Sequence, residues 1–436
     1  MSPLPQTDES PLRRQRGRGA PAAVNSGTPA PRGLPRVLAG LGSGGPPTIS
    51  FEHHRQLHGR LVARDPEQLI TMVEQSGLRG RGGAHFPTGK KLLAVRGRRR
   101  FARRPSAVVV NGSETEPLSG KDRVLLGSTP HLVLDGAIMA ARATGAQEVI
   151  VKVNDHGDGV LGPLVRAIQA RTSDHLPISL AVAPASYVSG EEGAVINFLE
   201  TGVPLPTFGQ FRPFERGYQG RPTLIQNPET LAHLALIARH GARWYRELGT
   251  AQDPGTTLIT LSGAVAFPGV YEVEIGTPVG DIVRMAGGAT EALQALLFGG
   301  YFGTWARADA ATMALPFALG NLKERGLSLG TGVIFALGLS SDGLAESARI
   351  ATYLARESAG QCGPCVHGLS AIAQSLTRVA QGGARRGELE QLWRWCADVD
   401  GRGACAHPNG AVRFVRSSLD TFLRIAPSQA DYGTLR

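Results

Sequence analysis

A glycine-rich motif that carries four cations is the first candidate for chemistry in this 436-residue chain. The motif SGLRGRGGAHFPTGKK spans residues 76–91 and sets five glycines among Arg79, Arg81, Lys90 and Lys91. Bare backbone N–H groups and fixed cations together can cradle an anion such as a phosphate. The spacing matches neither a Walker A loop nor a dinucleotide fingerprint, so composition alone equally allows a flexible basic loop.

An acidic motif, NGSETEPLSGKDR at residues 111–123, directly follows the apolar run VVVN at 108–111. The apolar run predicts a buried strand, so Asn111, Glu114 and Glu116 would stand at the carboxyl end of that strand. Ligands bind at this end of the strands in open parallel sheets. The motif is therefore a candidate binding site, and a solvated loop with weak surface ion pairs is the alternative.

A third motif, YVSGEEGAVINFLETG at residues 187–202, follows another predicted strand at 178–184. It places Glu191 and Glu192 in the first turn of a helix, where the helix dipole stabilises carboxylates. That effect alone explains the two glutamates, so the residue types by themselves assign no function here.

All the cysteines lie in the last quarter of the chain, at Cys362, Cys365, Cys396 and Cys405. The C-x-x-C pair presents two thiolates on one side of a bend, and Cys405 can close an iron–sulfur cluster from the other side. Zinc and a thioredoxin-like dithiol are the alternatives, although the helical context opposes the dithiol. Cys396 falls in an apolar helix, where a free cysteine usually fills the core.

The elements that would position these motifs alternate between strands and helices. Strands are predicted at 108–111, 148–154 and 178–184, and helices at 66–76, 128–145 and 159–171. This alternation predicts an α/β fold with a parallel sheet. Residues 255–300 then alternate apolar and polar positions around a short helix at 278–286, as in a small β-grasp domain. Residues 341–436 are mostly helical by pattern.

The charge and composition divide the chain further. The predicted division is a disordered basic tail at 1–50, an α/β domain at 51–245, a β-grasp domain at 246–330 and a helical domain at 331–436. The net charge of +10 is concentrated in the tail and in the basic segment KKLLAVRGRRRFARR at residues 90–104. This basic segment lacks the repeated aromatic residues of a nucleic-acid-binding surface, so nucleic-acid binding is not expected. Lysine occurs only at 90, 91, 121, 152 and 323. Because arginine is used almost everywhere else, we expect the compact ammonium charge to matter where lysine is kept.

Neither a membrane span nor an export signal is expected from the sequence. No apolar run reaches about 18 residues, the length that indicates a transmembrane helix. The N-terminal residues are polar and proline-rich and lack the apolar region of a secretory signal. These features favour a cytoplasmic protein.

The four motifs, in this order, resemble the NADH-binding flavoprotein subunit of respiratory complex I, which is the F-subunit family of NADH-quinone oxidoreductases. The family pattern reads G-L-R-G-R-G-G-A-G-F-P-T-G-x-K, N-x-D-E-x-E-P-G-x-x-K-D-R, Y-x-x-G-E-E-T-A and E-S-C-G-x-C-x-P-C-R, followed by a last cysteine. The match extends from about residue 60 to 425 and includes GRPTLIQNPET at 220–230. The resemblance implies a divergent paralogue with an FMN- and NADH-binding α/β domain, a β-grasp domain of the SLBB type and a helical iron–sulfur domain.

The resemblance also implies roles for individual residues. FMN would contact Gly80, Arg81, Gly82, Lys91, Asn111, Glu114 and Asn227. NADH would face Gly83, Ala84, Phe86, Glu192 and the catalytic candidate Glu116, with Phe214 as a stacking aromatic. Ser113, Gly190 and Glu191 complete the implied cofactor-binding set, and Cys362, Cys365 and Cys405 would bind the iron–sulfur cluster.

The implied chemistry is transfer of hydride from C4 of NADH to N5 of FMN, followed by single electrons to the iron–sulfur cluster and a partner or quinone pathway. The implied partner is a thioredoxin-like iron–sulfur subunit or another redox protein. The family also includes diaphorase subunits of NAD-linked hydrogenases and formate dehydrogenases. A peripheral position on the cytoplasmic face of the inner membrane is therefore an alternative to a free cytoplasmic protein.

Several residues depart from the family pattern. Ala359 stands where the family has its first cluster cysteine. This leaves a 3Fe–4S or three-thiolate 4Fe–4S centre, a fourth ligand such as Cys396 or His367, or no cluster. His85 replaces a glycine in the cofactor loop, where an imidazole would block NADH or shift the flavin. Ser113 replaces an aspartate. These changes motivate an alternative function, a degenerate scaffold or electron-transfer partner that has lost NADH oxidation or the cluster.

Overall fold

A computed structural model describes residues 34–41, 48–61, 64–99, 104–157, 159–171, 174, 176–207 and 211–423. Most of the predicted disordered tail lies outside these residues. Its described part at 34–41 packs on the fold, because the main-chain N–H groups of Arg36, Val37 and Leu38 donate to the carboxylate of Glu272. Residues 34–41, which the composition places in the disordered tail, are therefore part of the folded structure.

The first half of the chain forms a four-stranded, fully parallel sheet in the order β3-β2-β1-β4. Its strands are β1 (Ala107–Gly112), β2 (Val149–Asp155), β3 (Ile178–Pro184) and β4 (Thr223–Gln226). Its helices are α1 (Phe51–His58), α2 (Pro66–Ser76), α3 (Thr88–Arg99), α4 (Lys121–Ser128), α5 (Pro130–Thr144), α6 (Leu161–Gln169), α7 (Glu192–Thr201), α8 (Pro213–Arg216) and α9 (Pro228–Tyr245). The predicted α/β fold with a parallel sheet is confirmed.

Helix α5 shows how the sequence sets these boundaries. Pro130 occupies its first turn, where a missing N–H costs nothing, and Gly145 ends it in the left-handed conformation. Gly136 lies where α5 crosses α9 so closely that a Cβ atom would stand 1.9 Å from the carbonyl oxygen of Leu231. The glycine therefore permits the tight packing of the two buried helices behind the sheet.

The second sheet has five strands in the order β6-β5-β9-β7-β8. They are β5 (Thr256–Gly263), β6 (Gly269–Glu274), β7 (Leu293–Phe298), β8 (Thr304–Arg307) and β9 (Val333–Gly338), with helices α10 (Val279–Met285), α11 (Ala310–Met313) and α12 (Leu319–Glu324). Strand β9 lies between β5 and β7, so the sheet continues past the predicted domain boundary at residue 330.

The C-terminal region is helical, as its pattern predicts. It consists of α13 (Gly343–Arg356), a π-helical turn (Pro364–Leu369), α14 (Ser370–Ala380), α15 (Glu388–Val399) and α16 (His407–Phe422). These helices share a core that also includes residues of β7 and β9, such as Leu297 and Val333. Among the described residues no single helix is long and apolar enough to cross a membrane, although the bent pair of α4 and α5 meets that test by length and composition.

Candidate functional site

The acidic motif and the third motif meet at the carboxyl edge of the parallel sheet. Asn111, at the end of β1, donates from Nδ2 to the carbonyl oxygen of Gly190 over 2.8 Å. Ser113 donates from Oγ to Oδ1 of Asn111 over 2.5 Å. Because β1 and β3 end at the same edge, two motifs that are about 80 residues apart become neighbours.

A buried lysine lies directly beneath these contacts. The ammonium group of Lys152, on β2, donates to Ser113 Oγ at 2.7 Å, Asn154 Oδ1 at 2.6 Å and the carbonyl oxygen of Ser189 at 3.1 Å. All three partners are uncharged, and burial lowers the pKa of Lys152 to about 7. The sequence-based site set did not include this residue. Its signal was a lysine inside the apolar strand VIVKVN, in a chain that retains only five lysines.

Glu114 serves as the N-terminal acceptor for helix α4. Its carboxylate accepts from the main-chain N–H groups of Asp122 at 2.9 Å and Arg123 at 2.8 Å, and from Ser119 Oγ at 2.8 Å. Its φ angle of +36° is unusual for a residue other than glycine. Such backbone conformations cluster at ligand sites, where the surroundings hold them in place.

Lys121 and Asn227 connect the acidic motif to the glycine loop. Lys121 is buried and donates to Asp122 Oδ1 at 2.7 Å and Asn227 Oδ1 at 3.0 Å, while Glu229 Oε2 lies 3.1 Å away. Although burial alone would lower the pKa of Lys121, the two carboxylates raise it above its ordinary value. Asn227 also faces the glycine loop: a Cβ atom built on Gly82 would lie 3.5 Å from the Cβ atom of Asn227.

The guanidinium group of Arg81 points into the protein interior. It donates to Tyr245 Oη at 3.2 Å and to the carbonyl oxygen of Thr256 at 3.1 Å, with Glu229 at 3.8 Å. The main-chain N–H of Arg81 donates to Thr230 Oγ1 over 2.8 Å. The side chain thus fastens the loop to α9 and β5, and the glycines remain as the part of the loop that an anion can approach.

Lys91 connects the glycine-rich motif to the third motif. Its ammonium group donates to Glu192 Oε1 at 2.5 Å and to the carbonyl oxygen of Ile225 at 2.8 Å. The Glu192 side chain is 38% exposed, so this ion pair borders solvent. Phe86, earlier in the same motif, is 53% exposed and presents an aromatic ring to solvent.

The ring of His85 turns away from solvent. His85 adopts a φ angle of +51°, which suits the glycine that the family has there, and its side chain is buried. The ring lies near the backbone of Gly330, in the loop before β9, and burial together with the charge of Arg81 lowers the pKa of His85 to about 4. The imidazole is therefore neutral at pH 7, and it packs against the second sheet domain.

Glu116 joins the two sheet domains. Its Oε2 atom accepts from Tyr187 Oη at 3.0 Å and from the main-chain N–H of Tyr301 at 2.8 Å. Burial and the Glu116 carboxylate raise the pKa of Tyr187 well above its ordinary value. A Cβ atom on Gly300 would lie 2.4 Å from Cδ of Glu116, so the loop after β7 closes tightly over the carboxylate. The catalytic role assigned to Glu116 stays a prediction.

The remaining members of the predicted cofactor set occupy the loop and nearby helices. Gly80 donates its N–H to the carbonyl oxygen of Phe86 at 2.9 Å, and Gly83 and Ala84 complete the loop turn. Glu191 is the N-cap of α7 and accepts from the N–H of Ala194 at 2.9 Å. Phe214, on α8, packs part-buried against the main core.

Three of the four cysteines, Cys362, Cys365 and Cys405, line one cavity. The cavity is lined by Pro206, Thr207, Ala359, Gln361, Cys362, Cys365, Ala404 and Cys405. The cavity adjoins the head of α7, because a Cβ atom on Gly193 would lie 3.4 Å from the main-chain nitrogen of Thr207, which lines the cavity. In the described part of the chain no three His, Cys, Asp or Glu side chains are gathered closely enough for a single metal ion.

Comparison with known proteins agrees with this arrangement. Residues 73–236 match the family model of the Nuo51 FMN-binding domain, residues 258–300 match the SLBB domain, and residues 345–425 match the NADH-ubiquinone oxidoreductase-F iron-sulfur binding region. The chain is 31% identical over 386 residues to the NADH-quinone oxidoreductase F subunit of Rickettsia bellii, covering 83% of this chain and 90% of that protein. The chain belongs to the F-subunit family of NADH-quinone oxidoreductases.

Other relatives show the breadth of this family. The F subunit of the Escherichia coli enzyme is 29% identical over 383 residues, covering 83% of this chain and 84% of that protein. The crystal structure of an NAD+-reducing NiFe hydrogenase in the air-oxidized state superimposes with a TM-score of 0.77 at 33% identity. That match covers 83% of this chain and 62% of the hydrogenase chain. The resemblance read from the four motifs is thus confirmed.

Proposed function

We propose that the chain oxidises NADH as the flavoprotein subunit of a redox assembly, with FMN and an iron–sulfur cluster as its cofactors. One observation carries the proposal. The glycine-rich motif, the acidic motif and the head of α7 meet at one sheet edge, and the cysteine cavity adjoins the head of α7 through Thr207. The matching FMN-binding and iron–sulfur family models support the two cofactors.

Polar atoms around the glycine loop fit an incoming flavin nucleotide. The hydroxyl of Thr88, in the first turn of α3, and Nε2 of His85 are buried and have no hydrogen-bond partner among the described residues. The first turn of a helix also offers N–H groups that favour a phosphate. The Thr88 hydroxyl belongs to the glycine-rich motif and can pair with a polar ligand there, whereas the His85 ring faces the second sheet domain.

FMN, when bound, accepts hydride from NADH and releases the electrons singly, which is the chemistry that links a nicotinamide to iron. The residues of this chain position the reactants. Glu114 fixes the loop between β1 and α4, Lys91 fixes the head of α7, and exposed Phe86 offers a ring on which a nucleotide base can stack. The cavity of Cys362, Cys365 and Cys405 is next to α7 and would hold the electron acceptor.

The electron acceptor and partners of this chain are proposed from its relatives. Because the relatives are named as F subunits of NADH-quinone oxidoreductases, they support a multi-subunit complex and a quinone pathway as the final acceptor. The hydrogenase relative is described as NAD+-reducing, so a different terminal redox partner is an alternative. A thioredoxin-like iron–sulfur subunit is the partner we propose. We also propose a cytoplasmic location, either free or peripheral on the inner membrane.

The function is tested by anaerobic purification followed by visible spectroscopy, iron analysis and addition of NADH. We expect a flavin spectrum that NADH bleaches. Phe86→Ala should raise the KM for NADH about tenfold, since base stacking contributes roughly 1–3 kcal/mol. Phe267→Ala, which removes a ring that is 61% exposed on the second sheet domain, is the matched control and should leave KM unchanged. A colourless, iron-free protein that ignores NADH would instead support the degenerate scaffold.

A further inference from the structure

A buried ammonium group lies where the acidic motif and the third motif meet. Lys152 is fully buried, and its Nζ atom contacts one residue of each motif, Ser113 Oγ at 2.7 Å and the carbonyl oxygen of Ser189 at 3.1 Å. Its third acceptor is Asn154 Oδ1 at 2.6 Å, two residues further along the chain. Because a lysine ammonium group has three hydrogens, each hydrogen has an acceptor. The group therefore ties the two motifs together at the end of β2.

The hydrogen bonds that begin at Lys152 form a chain with one direction. Lys152 donates to Ser113 Oγ, and Ser113 Oγ donates to Asn111 Oδ1 at 2.5 Å. Asn111 Nδ2 then donates to the carbonyl oxygen of Gly190 at 2.8 Å. Because an ammonium group can only donate, the hydroxyl hydrogen of Ser113 must point toward its other neighbour, Asn111. The charge at the start of the chain thus decides which end of the Asn111 amide faces which neighbour.

The orientation of the Asn111 amide bears on ligand binding, because Asn111 is a predicted contact of FMN. The amide nitrogen has two hydrogens, and the carbonyl oxygen of Gly190 takes one of them. The second hydrogen is a donor for a ligand. FMN carries carbonyl, hydroxyl and phosphate oxygens that accept such a hydrogen bond, whereas a reversed amide would turn its own oxygen toward them. The observed orientation is the one that suits an acceptor on the flavin.

The serine at position 113 is what allows this chain of hydrogen bonds. The family pattern has an aspartate at this position, and a carboxylate could accept from Lys152 but could not donate to Asn111. The hydroxyl of Ser113 does both. It also leaves the ammonium group with uncharged hydrogen-bond partners, and the ring of Phe198, on α7, has its centroid 5.9 Å from Nζ. The lysine and the serine therefore act as a matched pair in this chain.

We propose that Lys152 is a positioning residue for FMN, which acts through Ser113 to set the orientation of the Asn111 amide at the carboxyl edge of the sheet. Lys152 itself does not contact the flavin, because its three hydrogens are taken by protein atoms. This inference rests on the proposed function, since FMN is the ligand that the oriented amide would receive. It assigns a role to a residue and to a departure from the family pattern that the motifs leave without one.

The test measures the binding of FMN to the full-length chain after its flavin has been removed, by quenching of FMN fluorescence. The wild type is compared with Lys152→Met, Ser113→Ala and the double variant. Lys323→Met is the control, because Lys323 is exposed on α12. Each single substitution should raise the Kd for FMN about tenfold. The double variant should also lose only about tenfold, since both changes break the same chain of hydrogen bonds. Lys323→Met should bind FMN as the wild type does.

Visible circular dichroism of the same samples, recorded before and after saturation with FMN, separates positioning from a purely structural role. The difference spectrum reports how the flavin ring is held, and urea unfolding of the flavin-free proteins reports stability. We expect the flavin bands of Lys152→Met and Ser113→Ala to change in the same way, and those of Lys323→Met to match the wild type. A purely structural role would lower stability and leave the flavin bands of the saturated variants unchanged.

Three results would overturn the proposal. Wild-type affinity for FMN and unchanged flavin bands in Lys152→Met would show that the ammonium group positions nothing. If Lys152→Met does not fold, the same result in Ser113→Ala would overturn the proposal equally. A double variant that loses about a hundredfold, the product of the single effects, would show that the two residues act independently. A wild type that binds no FMN would instead refute the proposed function together with this inference, so the two failures are distinguishable.

Discussion

Replacing Lys152 with methionine should remove a distinctive pH dependence from the stability of the protein. Burial lowers the pKa of Lys152 from 10.5 to about 7, and its three hydrogen-bond partners are neutral. At about 1.36 kcal/mol per pH unit, this difference amounts to about 5 kcal/mol in the free energy of unfolding between the two limits. A cost of this size is a large part of the stability of a typical domain.

The sign of the effect follows from which state holds the proton. Below pH 7 both the folded and the unfolded chain carry a protonated Lys152, so this group adds no pH dependence. Between pH 7 and 10.5 the unfolded chain keeps the proton and the folded chain has lost it, so the free energy of unfolding rises with pH. Between pH 7 and 9 we expect the free energy of unfolding of the wild type to rise by about 2 kcal/mol relative to that of Lys152→Met.

The measurement is urea unfolding of both proteins at pH 7, 8 and 9, followed by far-UV circular dichroism. Lys323→Met is the control, because Lys323 is exposed and its ammonium group is hydrated in both states. The free energy of unfolding of Lys323→Met should change with pH in the same way as that of the wild type. Parallel pH dependences for wild type and Lys152→Met would refute the reasoning, since they would show that an anion compensates the buried charge.

Two further substitutions test packing in the α/β domain and its loop. Gly136→Ala should destabilise the protein by at least about 3 kcal/mol in thermal or chemical unfolding, because its Cβ would stand 1.9 Å from the carbonyl oxygen of Leu231. Gly320→Ala, whose Cβ would meet nothing within 4 Å, should be neutral or slightly stabilising, and equal losses for both would contradict the packing argument. His85→Gly should leave the KM for NADH within about twofold, because the ring packs toward Gly330. A tenfold fall in KM would place the imidazole in the path of the nucleotide.

The parallel sheet was predictable because its signals are local. The strand predicted at 178–184 is the observed β3, and the apolar run at 108–111 lies within β1. Short apolar runs between turn residues identify such strands without knowledge of their neighbours. Strand β9 at the centre of the second sheet was not anticipated, because its place between β5 and β7 depends on pairing between segments far apart in the chain.

The contacts of the candidate site were less predictable than its location. The motifs identified the carboxyl edge of the sheet, but one hydrogen-bond donor to Glu116 is the main chain of Tyr301, 185 residues away. The interior position of the Arg81 guanidinium likewise depends on Tyr245 and Thr256, which no local pattern connects to the glycine loop. A motif indicates which residues gather, whereas the three-dimensional packing decides which side chains stay accessible.

The carboxylates of the motifs are mostly engaged in holding the backbone. Glu114 accepts N–H groups at the start of α4, Glu191 caps α7, and Glu116 accepts from Tyr187 and the main chain of the second sheet domain. A reaction that needed a general acid or base would require one of these groups to exchange protons with a substrate. Hydride transfer to a flavin makes no such demand on the protein, because the cofactor carries the redox chemistry and the protein supplies position. The engaged carboxylates therefore hold the backbone around the site, which suits a flavin-dependent reaction, and the catalytic role of Glu116 stays a prediction.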